Sequence, residues 1–326
     1  MDGVKLGGSP GPFLSNERGD VWYIERLDSE YKSALTQALL DLPGQSNLVE
    51  QNKNGVINLP SLVCRAIGGE LECIVTISKA WKLLYAAFYL LDKIEDQELS
   101  GIFSQYDTGV LVNITTGLIL QAEIALINAV TRKDLSSERG EHFLIAFNHM
   151  ALAVCAGQHQ DLSSSNIALG QAWEIAAGKS GVFFAFGCRL GAYAGAESSE
   201  TIEAFTSFGH CLGLLIQLAN DVEGLWGEYN DLNRGKVTIP IAYAMQVLQS
   251  PEKDKLVRYL DSPNTHQETT IRNLILTNGA LVYMALEAEK IRQLGKKLLD
   301  SLALNHHPRK QLEKMLDQIA CFTQIQ

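Results

Sequence analysis

Positive charge is what this chain has least of relative to its size. Lys and Arg number 27 against 37 Asp and Glu, a formal net charge of -10, and the cations form no stripe. A phosphate backbone needs concentrated Lys and Arg, so nucleic acid is excluded as a partner. Proline is scarce, 8 in 326 residues, and period-two alternation of apolar and polar residues is scarcer still, which removes the all-β classes. The six cysteines (Cys64, Cys73, Cys155, Cys188, Cys211, Cys321) form no CxxC pair and five lie inside apolar helical patterns. That pattern predicts buried free thiols in a reducing compartment, not disulfides or a zinc site. No run of 18 or more apolar residues occurs, so no membrane-spanning helix is expected. The Gly-, Pro- and Ser-rich start has no apolar core of signal-peptide length, which leaves cytoplasm as the expected location. No internal repeat or low-complexity segment stands out.

What is present is helical spacing. From Glu30 onward apolar residues recur at three- and four-residue intervals, as in Tyr31, Leu35, Ala38, Leu39 and Leu42 and then the long run from Leu71 to Leu91. The fold is predicted to be all-α. A hydrophobic content of 46% can supply one large core, so one domain over 29–326 is expected after a flexible segment 1–28. Loops are predicted at 52–60, 100–107, 133–140, 163–166, 229–235, 262–267 and 305–308.

Two acidic clusters interrupt the apolar pattern. QLANDVEGLWGEYNDLNRGKVTIP, Gln217 to Pro240, follows an almost wholly apolar helix and places Asn220, Asp221, Glu223, Glu228 and Asp231 within twelve positions. Asn220 and Glu228 stand two turns apart on one helix face. The second cluster, Asp92-Lys93-Ile94-Glu95-Asp96, ends the apolar run AWKLLYAAFYLL. Asp92 and Asp96 are neighbours on one face, and two such carboxylates repel unless a cation lies between them. Hard oxygen ligands on two helix ends suit magnesium shared with substrate phosphates. Solvated helix ends would account for either cluster alone.

Four blocks carry a resemblance: DKIED at Asp92 to Asp96, GQHQDL at Gly157 to Leu162, GKSGVFF at Gly178 to Phe184, and NDVEG with DLNRGKVTIP at Asn220 to Pro240. Their order and spacing resemble the trans-isoprenyl diphosphate synthase (polyprenyl synthetase) family, from about Pro60 onward. The resemblance implies a class I isoprenoid synthase domain, an antiparallel helix bundle around a central apolar cavity. It also implies a cluster of Mg2+ ions, an allylic prenyl diphosphate substrate and a homodimer. It makes Asp92, Asp96, Lys179 and Lys236 the catalytic residues. It assigns Asp92, Glu95, Asp96, Asn220, Asp221 and Glu228 to metal, and Tyr85, Phe88, Tyr89, Gln158, Lys179, Phe183, Gln217 and Lys236 to substrate. Asp161 would assist the metal waters.

The chain also departs from that family. Elongating members carry a GGKRxRP motif that grips isopentenyl diphosphate, and here the corresponding stretch reads Asn54-Gly55-Val56-Ile57-Asn58-Leu59-Pro60. No Arg occurs between Arg65 and Arg132, Tyr85 replaces a usual His, and Lys93 stands for the second Asp of the first motif. The second motif resembles the NDxx(S/T)xxxE of class I terpene cyclases, with Gly224 at the hydroxyl position. In a blander alternative Glu228 merely begins a polar loop. These departures predict a magnesium-dependent terpene synthase that ionises farnesyl or geranylgeranyl diphosphate and cyclises or rearranges the cation. Transfer to an aromatic or peptide acceptor and a non-catalytic subunit are the alternatives. Aromatic side chains Tyr85, Phe88, Tyr89, Phe183, Phe184, Phe186, Tyr193 and Trp226 would either wall the cavity, each stabilising a cation by roughly 0.5–2 kcal/mol, or simply fill core. Gly178 and Gly181 mark either a helix break beside the ligand or a close helix crossing. His159 and His210 are structural residues or, for His159, a base.

Overall fold

A computed structural model describes residues 31, 33, 56–69, 73–99, 101–131, 137–164, 167–195, 198–226 and 230–320. The expected flexible segment 1–28 and Glu228 lie outside these residues. Among the described residues the chain is helical from end to end: α1 (Leu59–Ala66), α2 (Cys73–Glu95), α3 (Thr108–Thr131), α4 (Ser137–Ser163), α5 (Leu169–Ala176), α6 (Val182–Gly195), α7 (Ser199–Glu223), α8 (Ile239–Val247), α9 (Glu252–Asp261), α10 (Thr265–Thr277), α11 (Ala280–Asp300) and α12 (His306–Ala320). The all-α expectation holds.

Local chemistry sets several boundaries. Ser198 accepts a hydrogen bond from Thr201 N at the start of α7, and Glu200 adds negative charge to its first turn. Asn264 accepts from His266 N and so starts α10 at Thr265, inside a predicted loop. Pro308 falls in the first turn of α12, where its missing N–H has no partner to lose, so that helix begins at His306 and not beyond the proline. Helix α4 likewise begins at Ser137, within the loop predicted over 133–140.

The core is one continuous cluster. Helix α2 packs along α3 and touches α6, α6 lies against α7 and α1, and α7 against α11. Trp81 is fully buried, stacks on Phe183 with centroids 4.6 Å apart, meets Phe184 edge-on at 5.9 Å, and donates from Nε1 to Val56 O at 2.9 Å. Phe186 and Tyr193 pack instead against Phe147 and Phe143 and belong to the core.

Two sequence expectations are corrected here. Ile74–Glu95, Thr108–Val130 and Ser199–Glu223 are long and apolar enough to cross a membrane by length and composition, although half or less of each window is buried inside the bundle. Interspersed polar residues break each run below 18 apolar residues without lowering its mean hydropathy enough to exclude it. Cys155 is exposed, whereas Cys64, Cys188 and Cys211 are buried.

Between α5 and α6 the chain forms a π-helical turn, Ala177–Gly181, the break that Gly178 and Gly181 foreshadowed. Glycines of two flanking helices admit it. A Cβ on Gly157 of α4 would lie 2.9 Å from Lys179 N, and one on Gly213 of α7 would lie 2.1 Å from Ser180 O. Because the obstacle at Gly213 is backbone, Gly213→Ala must push α7 from the turn. We expect a loss of about 1–3 kcal/mol in a denaturant titration. Unchanged stability would show that the turn is not clamped.

Candidate active site

Three elements bring their polar residues to one end of a cavity. Along α2, Asp92 lies about 10 Å beyond Tyr85 at 1.5 Å per residue. Lys179 precedes Phe183 where the π turn enters α6, and on α7 Asn220 follows Ile216. The Lys179 to Asp92 contact shows that these ends meet. The cavity encloses about 300 Å³ and is walled by Tyr85, Phe88, Tyr89, Val154, Phe183, Phe184 and Ile216, with Asp92, Glu95, Gln158, Lys179, Gln217 and Asn220 at its polar end. That volume is at the lower end of the roughly 300–1,000 Å³ usual for small-molecule sites.

The polar end turns on one carboxylate. Asp161 Oδ2 lies 2.6 Å from Lys179 Nζ and 3.0 Å from Lys236 Nζ. Lys179 also reaches Asp92 Oδ1 at 3.3 Å, and Lys236 reaches Asp96 Oδ2 at 3.1 Å. Burial disfavours both ammonium ions, but Asp92 and Asp161 around Lys179, and Asp161, Asp96 and Asp231 around Lys236, raise both pKa values above the ordinary lysine range. Burial likewise pushes Asp161 up, and the two lysines outweigh it and hold the group below the usual carboxylate range. Both lysines are therefore charged and aimed at a common point. Asp92 and Asp96 sit at the C-terminal end of a helix, where the backbone dipole disfavours negative charge by about 0.3–1 kcal/mol. A cation at this place offsets that cost.

A belt of charge lies outside this pair. Arg234 donates to the Asp96 carbonyl, to Glu98 and to Asp231, and Lys93 donates to Glu98. Burial pushes Asp231 up to about 7.

Not every expected residue takes its expected place. Tyr85, Phe88, Tyr89, Phe183, Gln158, Gln217 and Lys179 line the cavity, as do Asp92, Glu95 and Asn220. Asp221, expected beside Asn220 as a metal ligand, does not line the cavity. It is 5% exposed, its Oδ1 accepts from Gln217 Nε2 at 2.7 Å and its Oδ2 from Ile239 N at 3.0 Å, so both oxygens are spent inside the protein. Burial raises its pKa to about 6. Gln217 also accepts from Ser180 Oγ at 2.7 Å, which makes it a strut between the π turn and α7 as well as a lining residue. Trp226 is half-buried away from the cavity lining. His159 and Cys155 do line it, Cys155 without having been singled out in the sequence. Arg234 and Glu98 were also missed, because a bond from Arg234 to Asp96 spans 138 residues with no local signal.

The donor set fits magnesium. Asp92, Glu95, Asp96 and Asp161 face two lysines, leaving unneutralised hard oxygens, and the buried Gln158 amide lies beside Glu95 at the same end. Among the described residues no three His, Cys, Asp or Glu side chains converge tightly enough to hold a metal alone. That suits an ion bound through one or two carboxylates and shared with phosphate oxygens.

Comparison with known proteins gives a consistent picture. The polyprenyl synthetase family model matches residues 56–276. The chain is 27% identical over 207 residues to a geranylgeranyl diphosphate synthase of Mycobacterium tuberculosis, a match covering 55% of each chain, so it spans about half the length of that relative. It is 24% identical over 277 residues to a geranylgeranyl diphosphate synthase of Saccharolobus solfataricus, covering 79% of this chain and 81% of the other. The fold is similar to that of a polyprenyl synthase from Caulobacter crescentus complexed with calcium and isoprenyl diphosphate (TM-score 0.73, 18% identity, 94% and 99% of the two chains). It is also similar to that of a geranylgeranyl pyrophosphate synthetase from Pyrococcus horikoshii (TM-score 0.71, 18% identity, 92% and 97%).

The shared carboxylate yields a test. Asp161→Asn removes the negative charge between two half-buried ammonium ions and leaves each with one carboxylate, Asp92 or Asp96. We expect a lower melting temperature, and a larger recovery on adding inorganic diphosphate than the wild type shows, because an external anion replaces the lost one. Equal responses of the two proteins would refute the shared-anion account.

Proposed function

The chain belongs to the polyprenyl synthetase family, and from that premise we propose that it ionises an allylic prenyl diphosphate and transfers the prenyl cation to a carbon nucleophile. The observation that carries this reading is the pair Lys179 and Lys236, held on Asp161 beside Asp92 and Asp96, at the polar end of an aromatic-walled cavity.

In the free protein the lysines are satisfied by carboxylates. An incoming diphosphate offers them stronger acceptors, and Asp92, Asp96 and Asn220 are the residues that would hold magnesium. Bound magnesium would supply neutralisation of the leaving group's charge. The C1–O bond of the substrate breaks with both electrons passing to oxygen, and Lys179 and Lys236 stabilise that developing charge. The allylic cation is left among Tyr85, Phe88, Phe183 and Phe184, whose ring faces favour a cation and whose packing excludes water. Attack by a carbon–carbon double bond forms the new bond, and loss of a proton restores neutrality.

The relatives named above are prenyl diphosphate synthases, which supports isopentenyl-type acceptors and chain elongation as the first reading. The second reading, intramolecular attack as in a terpene synthase, rests on the segment where elongating members carry their basic grip. Val56, Leu59 and Pro60 are buried there, and the nearby Arg65 is exposed and donates to Ser61 O. A non-catalytic subunit fits least well with retention of both lysines and both acidic ends.

Incubation with farnesyl or geranylgeranyl diphosphate and magnesium, with and without isopentenyl diphosphate, tests these readings. We expect magnesium-dependent diphosphate release that chelation abolishes. A product five carbons longer supports elongation, and a hydrocarbon or alcohol formed without isopentenyl diphosphate supports cyclisation. No release with either substrate sinks the proposal.

We further propose that the chain is a homodimer through α3. Leu120, Ile124 and Ile127 recur at i, i+4 and i+7 and are 54%, 50% and 38% exposed, an apolar stripe that a second copy would cover. Ile124→Lys is expected to halve the mass measured by light scattering without lowering helical content. A wild-type monomer would refute the dimer.

A further inference from the structure

One close approach beyond α7 is not used by the chemistry above. Gly224 follows Asn220 by four residues, so a side chain at 224 would stand beside that of Asn220 on the same helical face. The space for such a side chain is filled. A Cβ on Gly224 would lie 1.9 Å from Asp231 Oδ2 and 2.9 Å from its Cγ. Asp231 N donates to Gly224 O at 2.8 Å, which ties the backbones of the two residues together.

This carboxylate is connected to the opposite wall. Asp231 is 7% exposed. Its Oδ1 accepts from Arg234 Nη2 at 2.9 Å. Arg234 also donates to the backbone carbonyl of Asp96 and to Glu98, which accepts from Lys93. Asp231 O accepts from Lys236 N at 2.9 Å, which places the lysine whose Nζ meets Asp161. Charge-assisted bonds through Arg234 thus join the space at position 224 to the Asp96 end of α2, and a backbone bond joins Asp231 to Lys236; charge-assisted bonds are shorter and stronger than neutral ones.

We infer that Asp231 substitutes for the side chain absent at position 224. Its carboxylate enters the space beside Asn220 from the following loop and, through Arg234, fixes how far the Asn220 end of α7 stands from the Asp92–Asp96 end of α2. It is a positioning residue, and the inference rests on the diphosphate reading of the site. Gly224 is then required to be glycine only while Asp231 is present, which makes the two positions interchangeable as sources of one carboxylate.

The experiment measures binding of inorganic diphosphate at saturating magnesium by calorimetry, with melting temperature alongside, in the full chain. Asp231→Ala is expected to weaken binding tenfold or more and to lower the melting temperature, because a buried partner of Arg234 is removed while Arg234 keeps Glu98 and the Asp96 carbonyl. Asp231→Asn, which keeps the shape and removes the charge, is expected to do the same and serves if the alanine variant fails to fold. Gly224→Asp in the wild-type background places two carboxylates in one space and is expected to weaken binding, whereas Gly224→Asp combined with Asp231→Ala is expected to restore most of it. Gly224→Ala combined with Asp231→Ala refills the volume without charge and is expected not to restore it. Wild-type affinity in both Asp231→Ala and Asp231→Asn, or equal rescue by alanine and aspartate at 224, overturns the inference and leaves the diphosphate reading standing. A wild-type protein that does not bind magnesium diphosphate overturns both.

Discussion

Two lysines sharing one half-buried aspartate is the constraint on which the rest of the site depends. Lys179 and Lys236 lie far apart in the chain, and Asp161 between them offsets the repulsion of two half-buried ammonium ions brought together. Asp161 is on α4, Lys179 on the π turn and Lys236 on the loop before α8, so this contact locks three elements together. Asp92 and Asp96, each bonded to one of the lysines, bring the end of α2 to the same point. The arrangement is charged, dry on one side and short of cations. That is the electrostatic setting in which an anionic leaving group and divalent metal are both favoured.

The backbone prepares this setting before any ligand arrives. The π turn carries Lys179 into the cavity because α4 and α7 present glycine, Gly157 and Gly213, where it passes. Ser180, Gln217, Asp221 and the N–H of Ile239 then form a second line of hydrogen bonds from the π turn through α7 to the start of α8. Asp221 shows how an acidic residue beside one that lines the cavity can be held by other protein groups. One position further along a helix rotates a side chain by about 100°, here into a buried hydrogen-bond line. Tyr85, Phe88, Phe183 and Phe184 complete the cavity by making its far end apolar.

Family membership and these contacts agree on the allylic half of the chemistry. Basic residues are missing from 56–60, and Trp81 binds the Val56 carbonyl. On the proposed reading the difference between elongation and cyclisation rests on the acceptor side, and the lysine pair and the acidic helix ends would serve both.

Much of this was legible in the sequence. Helical spacing and scarce proline determined an all-α chain, and acids ending two apolar helices marked Asp92, Asp96 and Asn220, because burial of one helix face constrains composition locally. Lys179 and Lys236 were legible only through motif resemblance, since a lone lysine carries no periodic signal. The tertiary structure alone decided that Asp161 is shared by both lysines, that Asp221 turns inward, that Arg234 reaches Asp96 across 138 residues, and that Asp231 fills the space of a side chain Gly224 does not have. The reason is physical. Periodicity and helix capping act over one or two turns and are written in neighbouring residues, whereas the partner of a buried charge is chosen by which distant segment the packed core brings within about 3 Å.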